Sequence, residues 1–234
     1  MLSIIIPTLN EEKYLPLVLG EIKKQNFSDY ELIVADAGSK DKTLEIAKNF
    51  GCKIVKGGLP AKGRNEGAKI AKGELLLFMD ADNVYLPENF LGNLVQKFKK
   101  RNLGVAAFPI LPDGKKIDKF LYRIYNWLVK ITQNFLPHAT NSILVKKEIH
   151  QKISGFDEEI KIAEDHEYVR RAKKYGYKYG FIEIEPVLTS SRRFEKDGRL
   201  KTYLKYILAG FHLFIFGKIK TDLYHYQFDK NKKI

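Results

Sequence analysis

Along the first hundred residues, short apolar runs alternate with amphipathic stretches, the rhythm of repeated β-α units. Residues 2–6 form a β-branched run that Pro7 is expected to end. A helix follows, with Pro16 in its first turn and Leu15, Val18, Leu19 and Ile22 on one face. Residues 30–35 read as a second strand, and Asp36-Ala37-Gly38-Ser39 turns the chain into a helix from about Lys42 that Gly51 stops. A short strand over 53–56, a helix through 64–72 ended by Gly73, and a nearly continuous apolar strand over 74–79 complete the series. Unbroken apolar strands of that kind are buried on both faces, as in parallel sheets. The pattern predicts a doubly wound α/β domain that binds ligands at the carboxyl ends of its strands.

After a helix over 88–100 and a strand over 105–109 the alternation loosens. Segment 117–135 carries Phe120, Leu121, Ile124, Leu128, Ile131 and Phe135 at helical spacing. Trp127 flanks that stripe, and Lys116, Lys119, Arg123 and Lys130 supply a cationic face. A further helix is expected from Glu164 to about Tyr175, stopped by Gly176, then a last strand over 179–185 and a tail helix over 200–217 with Lys218 and Lys220 beyond it. No internal repeat or low-complexity linker interrupts the chain.

Composition narrows the class. The 234 residues are 44% hydrophobic and 12% aromatic, enough for a sizeable core and unlike a disordered tail. A single cysteine, Cys52, rules out a disulfide framework and a cysteine-based zinc finger. No charged-then-apolar leader precedes the first strand, so secretion is not expected. The longest mostly apolar run, 206–217, is too short to cross a bilayer and contains His212. A cytoplasmic protein, free or at the inner face of the cell membrane, is the expectation. The net charge of +13 is uneven: residues 113–152 carry +5 and residues 192–234 carry +7, and both segments are rich in aromatics. Such clusters attract phosphates, whether on a nucleotide, a nucleic acid or an anionic lipid.

Three acidic signals fall where strands end. Asp36 follows the second strand, Asp80-Ala81-Asp82 follows the apolar strand over 74–79, and Glu164-Asp165 opens a helix after Gly155-Phe156-Asp157. Each alone has an ordinary reading as capping or turn chemistry. Asp80 and Asp82 share one loop, however, and repel each other unless a cation or hydrogen-bond donors neutralise them. Hard divalent cations such as Mg²⁺ or Mn²⁺ take oxygen ligands and commonly share them with substrate phosphates.

In order along the chain stand Ile4-Ile5-Ile6-Pro7-Thr8-Leu9-Asn10-Glu11-Glu12, Ile33-Val34-Ala35-Asp36-Ala37-Gly38-Ser39 with Asp41 and Thr43, and Lys62-Gly63-Arg64-Asn65-Glu66-Gly67. Leu77-Phe78-Met79-Asp80-Ala81-Asp82, Gly155-Phe156-Asp157 and Glu164-Asp165 follow. Together these blocks resemble the family-2 glycosyltransferases of GT-A fold over roughly residues 2–195. The resemblance implies a Rossmann-like mixed sheet flanked by helices, divided into a nucleotide-sugar half (1–112) and an acceptor half (113–195), with a basic, aromatic helical tail (196–234). It implies that Pro7, Thr8, Asn10 and Glu12 line the nucleotide pocket, that Asp36 bonds the base or ribose, and that Lys62, Arg64 and Asn65 approach the nucleotide. Asp80, with Ala81 beside it, would face the ribose or metal, and Asp82 would hold the Mn²⁺ or Mg²⁺ that bridges the diphosphate. Asp165 would be the general base, with Glu164 its neighbour, in an inverting reaction. Ser190-Ser191-Arg192-Arg193-Phe194 is similar to a segment of some non-processive members, where Arg192 and Arg193 would suit a diphosphate or a phosphorylated acceptor. The processive Gln-x-x-Arg-Trp pattern is absent.

The acceptor is less explicit: a sugar, or a lipid-linked group such as a polyprenyl phosphate or a lipid-linked saccharide. The segments 117–135 and 203–220 pair apolar faces with lysines, which fits either a lipid interface or packing against the α/β domain. His138 falls where acceptor pockets are shaped. Two other readings compete. A sugar-phosphate nucleotidyltransferase would need a Gly-rich N-terminal loop, which Pro7-Thr8-Leu9-Asn10 is not. A basic module for RNA or anionic lipid would leave the acidic positions without purpose, and no nucleic-acid partner is expected.

Overall fold

The Ile4-Ile5-Ile6 run is buried on both sides because alternate residues of its strand feed two separate cores. In the computed structural model, which describes residues 1–205 and 208, the first part of the chain forms β1 (Leu2–Thr8), α1 (Leu15–Lys23), β2 (Tyr30–Asp36), α2 (Thr43–Asn49), β3 (Lys53–Lys56) and α3 (Pro60–Ile70). Then come β4 (Leu75–Phe78), β5 (Asn83–Tyr85), α4 (Phe90–Lys100), β6 (Val105–Ala107), β7 (Ile110–Pro112), α5 (Lys116–Thr132), β8 (Ile143–Lys146) and α6 (Lys147–Lys152). The described part closes with α7 (Glu164–Lys174), β9 (Tyr179–Phe181), β10 (Val187–Thr189) and α8 (Arg192–Asp197). Residues 199–205 are again helical; the rest of the expected tail helix over 200–217, and of the segment 203–220, lies outside the described residues.

The main sheet has the order β3-β2-β1-β4-β8-β6-β9. Its first four strands are parallel, as expected, but β8 runs antiparallel between β4 and β6, so the sheet is mixed rather than wholly parallel. Leu2, Ile4 and Ile6 pack with the apolar faces of α1 and α4, while Ile5 joins Ile33, Leu76 and Phe78 under α3, α6 and α7. Each fully buried Leu, Ile or Phe contributes about 1.5–3 kcal/mol. Helix α3 lies unusually close to β1: a Cβ on Gly67 would stand 2.4 Å from the Ile5 Cγ2, so the helix could not keep this approach with any larger residue there.

Pro7 does not end β1. The strand pairs with β2 over its whole length but with β4 only over residues 2–5. Strand residues send their N–H and C=O to alternate sides, and Ile5 accepts its bond from Met79 N–H at 3.0 Å on the β4 side. Pro7 shares the parity of Ile5 and faces the side β4 has already left, so its missing N–H breaks no pair.

Three strands of three residues each form a second small sheet, β5-β10-β7. It lays the segment after β10 beside the loop after β4. Among the described residues no helix is long and apolar enough to cross a membrane.

Helix α5 turns the expected amphipathic packing inside out. Its buried residues are Asp118, Asn126 and Val129. Ile117, Phe120, Leu121, Ile124, Trp127, Leu128 and Ile131 are exposed, as is Phe135 just beyond the helix. Among the described residues this stripe is exposed and is not part of the core. The polar side chains hold the inverted face in place. Asn126 accepts from Ile110 N–H at 3.4 Å and donates to Ile110 C=O at 2.9 Å, and Asp118 accepts from Arg199 Nε at 3.0 Å and from the Tyr203 hydroxyl at 2.9 Å.

Candidate active site

Where β1 loses β4 as a neighbour, the loops after β1, β2 and β4 open onto one cleft, the place at which open α/β sheets bind ligands. Arg64 on α3 lies at the centre, 4% exposed. Its Nη1 donates to Glu164 Oε1 at 2.5 Å and its Nη2 to Asp80 Oδ1 at 2.9 Å, while its guanidinium sits 5.3 Å from the centre of the Phe156 ring. One side chain thus ties α3, the loop after β4 and the start of α7. Burial opposes its charge, but Asp80, Glu164 and Asp165 outweigh burial and hold it protonated.

A second guanidinium closes the other side. Arg192 donates to both oxygens of Glu11 at 2.7 Å, approaches Asp82 Oδ2 at 3.3 Å and lies 4.5 Å from the centre of the Tyr14 ring. The small sheet makes this contact: Ser190 N–H donates to the Asp82 carbonyl at 2.8 Å, and the Thr189 hydroxyl lies 3.4 Å from Asp82 Oδ1. Arg193, the next residue, is close enough to lower the cost of ionising Asp80. Burial and the Asp82 carboxylate nevertheless outweigh the arginines and push Asp80 up to about 6. Burial likewise raises Glu11, against the pull of Arg192.

Asp165 sits in the first turn of α7, which begins after Ala163 in a left-handed conformation (φ 62°). Glu164, Asp165 and Glu167 share that turn, the helix end that favours negative charge. Asp165 Oδ1 accepts from His166 N–H at 2.8 Å. Burial raises both Glu164 and Asp165 above the ordinary carboxylate range, against the attraction of Arg64. Burial also pushes His166 down to about 3, so its ring is neutral and its 3.8 Å approach to Asp165 is not an ion pair. His166 Nδ1 instead accepts from Ala139 N–H at 3.1 Å.

Several expected binding residues are spoken for. Asp36 is saturated: Oδ1 accepts from the Gly38 and Ser39 N–H groups, and Oδ2 from the Thr8 and Ser39 hydroxyls. It builds its own turn, and a base or ribose would have to displace one of those donors. Thr8 is buried with it. Asn65 clamps the loop before α7, accepting from Phe156 N–H at 2.8 Å and donating to Phe156 C=O and Glu158, each at 2.9 Å. Ala81 is core, 4% exposed, and Pro7 packs toward Gly63 of α3. Asn10, at φ 55°, receives Lys40 N–H on its side chain at 2.9 Å and fastens the loop after β1 to the loop after β2. Glu12 is exposed and accepts from Lys42 N–H, whereas Glu11, not singled out by sequence, turns into the cleft. Lys62 is exposed, with its stem over Gly58. His138 is occupied at both nitrogens, by Leu136 C=O and Arg170, and burial pushes it down to about 4.

The donor set fits a hard divalent cation. Glu11, Asp80, Asp82, Glu164 and Asp165 face Arg64, Arg192 and Arg193, which leaves a surplus of two negative charges in the cluster. Among the described residues no three His, Cys, Asp or Glu side chains are grouped to hold a metal ion. Asp80 and Asp82 would thus give part of a ligand set, as in sites where phosphates supply the remainder. A groove of about 740 Å³, lined by Met1, Phe27, Lys72, Phe98 and Lys147 among others, opens near the other end of β1 and contains none of these groups.

The family model for glycosyl transferase family 2 matches residues 3–156. Among curated proteins, an uncharacterized glycosyltransferase of Haemophilus influenzae is 26% identical over 187 residues, 72% of this chain and 60% of its own length. The poly(ribitol-phosphate) beta-N-acetylglucosaminyltransferase TarS of Staphylococcus aureus is 27% identical over 188 residues, 73% of this chain and 32% of its own. The chain therefore spans less than two thirds of the length of either relative. Solved structures share the GT-A fold. TarS 1–349 in complex with UDP-GlcNAc superposes with a TM-score of 0.65 at 22% identity, covering 81% of this chain and 58% of that one. The mannosyltransferase PcManGT from Pyrobaculum calidifontis, in complex with GDP-Man and Mn²⁺, gives 0.66 at 18% identity, covering 90% and 64%.

Proposed function

The chain belongs to glycosyl transferase family 2, and we propose that it moves a sugar, with inversion, from a nucleotide-diphospho-sugar to an acceptor hydroxyl or phosphate. The observation that carries this reading is the cleft in which Arg64 bridges Asp80 and Glu164 while Arg192 reaches Glu11 and Asp82. UDP-sugars are the favoured donors, in keeping with the UDP-GlcNAc bound by TarS, and GDP-sugars come next, in keeping with the GDP-Man bound by the Pyrobaculum enzyme.

In the proposed reaction an acceptor oxygen attacks the anomeric carbon from the face opposite the diphosphate. The bond to the diphosphate oxygen breaks, and the nucleoside diphosphate leaves with the electron pair. Asp165 takes the proton of a hydroxyl acceptor. Burial raises its pKa and so makes it a stronger base than a solvated aspartate, against the opposing charge of Arg64. Arg192 stands beside Asp82 and Arg193 within electrostatic reach of Asp80, where they can hold the diphosphate as its charge develops. A Mn²⁺ or Mg²⁺ held by Asp82 and Asp80 would neutralise part of the same charge. An acceptor that is itself a phosphate, such as a polyprenyl phosphate, is already largely ionised and makes less demand on Asp165.

The test is calorimetric titration of UDP and GDP, with and without Mn²⁺, alongside turnover of the donor. Wild type is expected to bind one nucleotide in a metal-dependent way, and Asp82→Asn to lose that dependence. Asp165→Asn is expected to bind like wild type. Its turnover should fall by about 10²–10⁴-fold with a sugar hydroxyl acceptor and far less with a phosphate. A folded wild-type protein that binds neither nucleotide would sink the proposal.

A further inference from the structure

We propose that the outward face of α5 is a docking surface for an anionic lipid bilayer. Only the nature of the acceptor presented there rests on the glycosyltransferase reading; the docking itself rests on the helix. Over 17 residues, about 25 Å, α5 exposes Ile117, Phe120, Leu121, Ile124, Trp127, Leu128 and Ile131 in a stripe covering about a third of its circumference. Trp127 is 57% exposed, and Phe135, beyond the last turn, is 74% exposed. Isolated exposed apolar residues are ordinary, but a continuous stripe with aromatic residues along it marks an interaction surface. The stripe is not a helix left loose. Asp118 and Asn126 are buried by their bonds to Arg199, Tyr203 and Ile110, and the Tyr125 hydroxyl donates to Ala139 C=O at 2.7 Å. The polar residues fix the helix so that its apolar face can only point outward.

Charge selects the occupant. Lys116, Lys119, Arg123 and Lys130 fall together on one flank of the stripe, and the one acid of the helix, Asp118, is buried. Lys130 alone among them bonds a carboxylate in the described residues, Glu183 at 2.6 Å. A second copy of the chain would bring the same cationic flank against itself. Residues 209–234 of the chain itself hold five lysines and two aspartates, a net +3, so that segment also brings like charge to the flank. A surface of anionic headgroups over hydrocarbon satisfies both features at once, with apolar side chains in the acyl boundary and lysines among the phosphates.

Trp127 is the single tryptophan of the chain, so its fluorescence reports this face alone. The full chain is mixed with vesicles of phosphatidylglycerol and phosphatidylcholine, or of phosphatidylcholine alone, and emission, quenching by brominated lipid and co-sedimentation are followed. Docking predicts a blue shift and quenching with the anionic vesicles, both weakened by high salt. The double substitution Phe120→Ser with Ile124→Ser should lower vesicle partition by at least about tenfold. Emission that ignores anionic vesicles would overturn the proposal. So would emission already blue-shifted without lipid, which would mean that the tail or a second copy covers the face. Undiminished partition of the double variant would do the same. UDP and GDP titrations on the same samples separate the two readings: lost lipid binding with intact nucleotide binding refutes docking alone, and the reverse refutes the donor site alone.

Discussion

The cleft and α5 break the usual division of a soluble protein in opposite ways. The cleft draws carboxylates and guanidinium groups inward, with Arg64 at 4% exposure and Asp82 at 7%. Helix α5 sends most of its large apolar side chains outward and buries an aspartate and an asparagine beside Val129. Neither arrangement is what stability by itself would favour, since buried charge costs desolvation and exposed apolar surface forfeits burial. The difference lies in how each is compensated. The charges of the cleft offset each other down to a surplus of two negative charges, whereas within the described residues nothing covers the α5 stripe.

The strongest way to break that contrast is to strip the cleft of its central cation. Arg64→Ala leaves Asp80 and Glu164 without their shared partner and is expected to cost about 3–5 kcal/mol, read from denaturant unfolding. Arg64→Lys should recover only part of the loss, because one ammonium cannot serve both carboxylates as the forked guanidinium does. An unchanged unfolding midpoint for Arg64→Ala would mean that the bridge adds nothing to the fold.

Acid should reach the first region and spare the second. His138, His150 and His166 are held neutral by burial, pushed down to about 4, 4 and 3, while the unfolded chain takes up their protons near the ordinary 6.5. At these three sites the unfolded state therefore binds more protons below about pH 6.5. Their share of the stability is full above that value and is lost as the pH drops toward the folded pKa values. His150, 6% exposed and bonded to the Tyr168 hydroxyl at 3.0 Å, should account for roughly 1 kcal/mol of loss at about pH 5.5. His150→Gln should flatten this part of a melting-temperature profile between about pH 7 and 5, and a profile identical to wild type would dismiss the histidine as its source.

The smallest effect is expected on the exposed stripe. Ile124→Ser should change the free energy of unfolding by less than about 0.5 kcal/mol, as surface substitutions usually do. Thermal unfolding checks it, and a loss of several kcal/mol would show that Ile124 is covered after all.

Periodicity carried the fold a long way and then failed at definable points. The apolar runs of β1, β2 and β4 were legible because both faces are buried, and α1 because its four apolar residues sit on one side. Strands β5, β7 and β10 escaped notice because three residues are too few to show a period, yet they bring Arg192 to Asp82. In α5 the spacing of the stripe was clear, but spacing marks a face without saying which way it points; the bonds of Asp118 and Asn126 decide that. Of the adjacent acids Glu11 and Glu12, the resemblance favoured Glu12, but Glu11 is the one that turns inward to Arg192, next to the left-handed Asn10. Arg64 was expected near the nucleotide, and no local pattern announces that its partner Glu164 lies a hundred residues away.

The bonds that invert α5 also make it a strut. Asn126 grips Ile110 in β7, β7 pairs with β10, and the chain beyond β10 is bonded to Asp82. If α5 rests on a bilayer, this chain of contacts sets the height of the cleft above the headgroups, much as a tripod sets the height of a lens. Acceptors would then be sorted by how far their reactive oxygen stands from the membrane plane, before any question of shape arises.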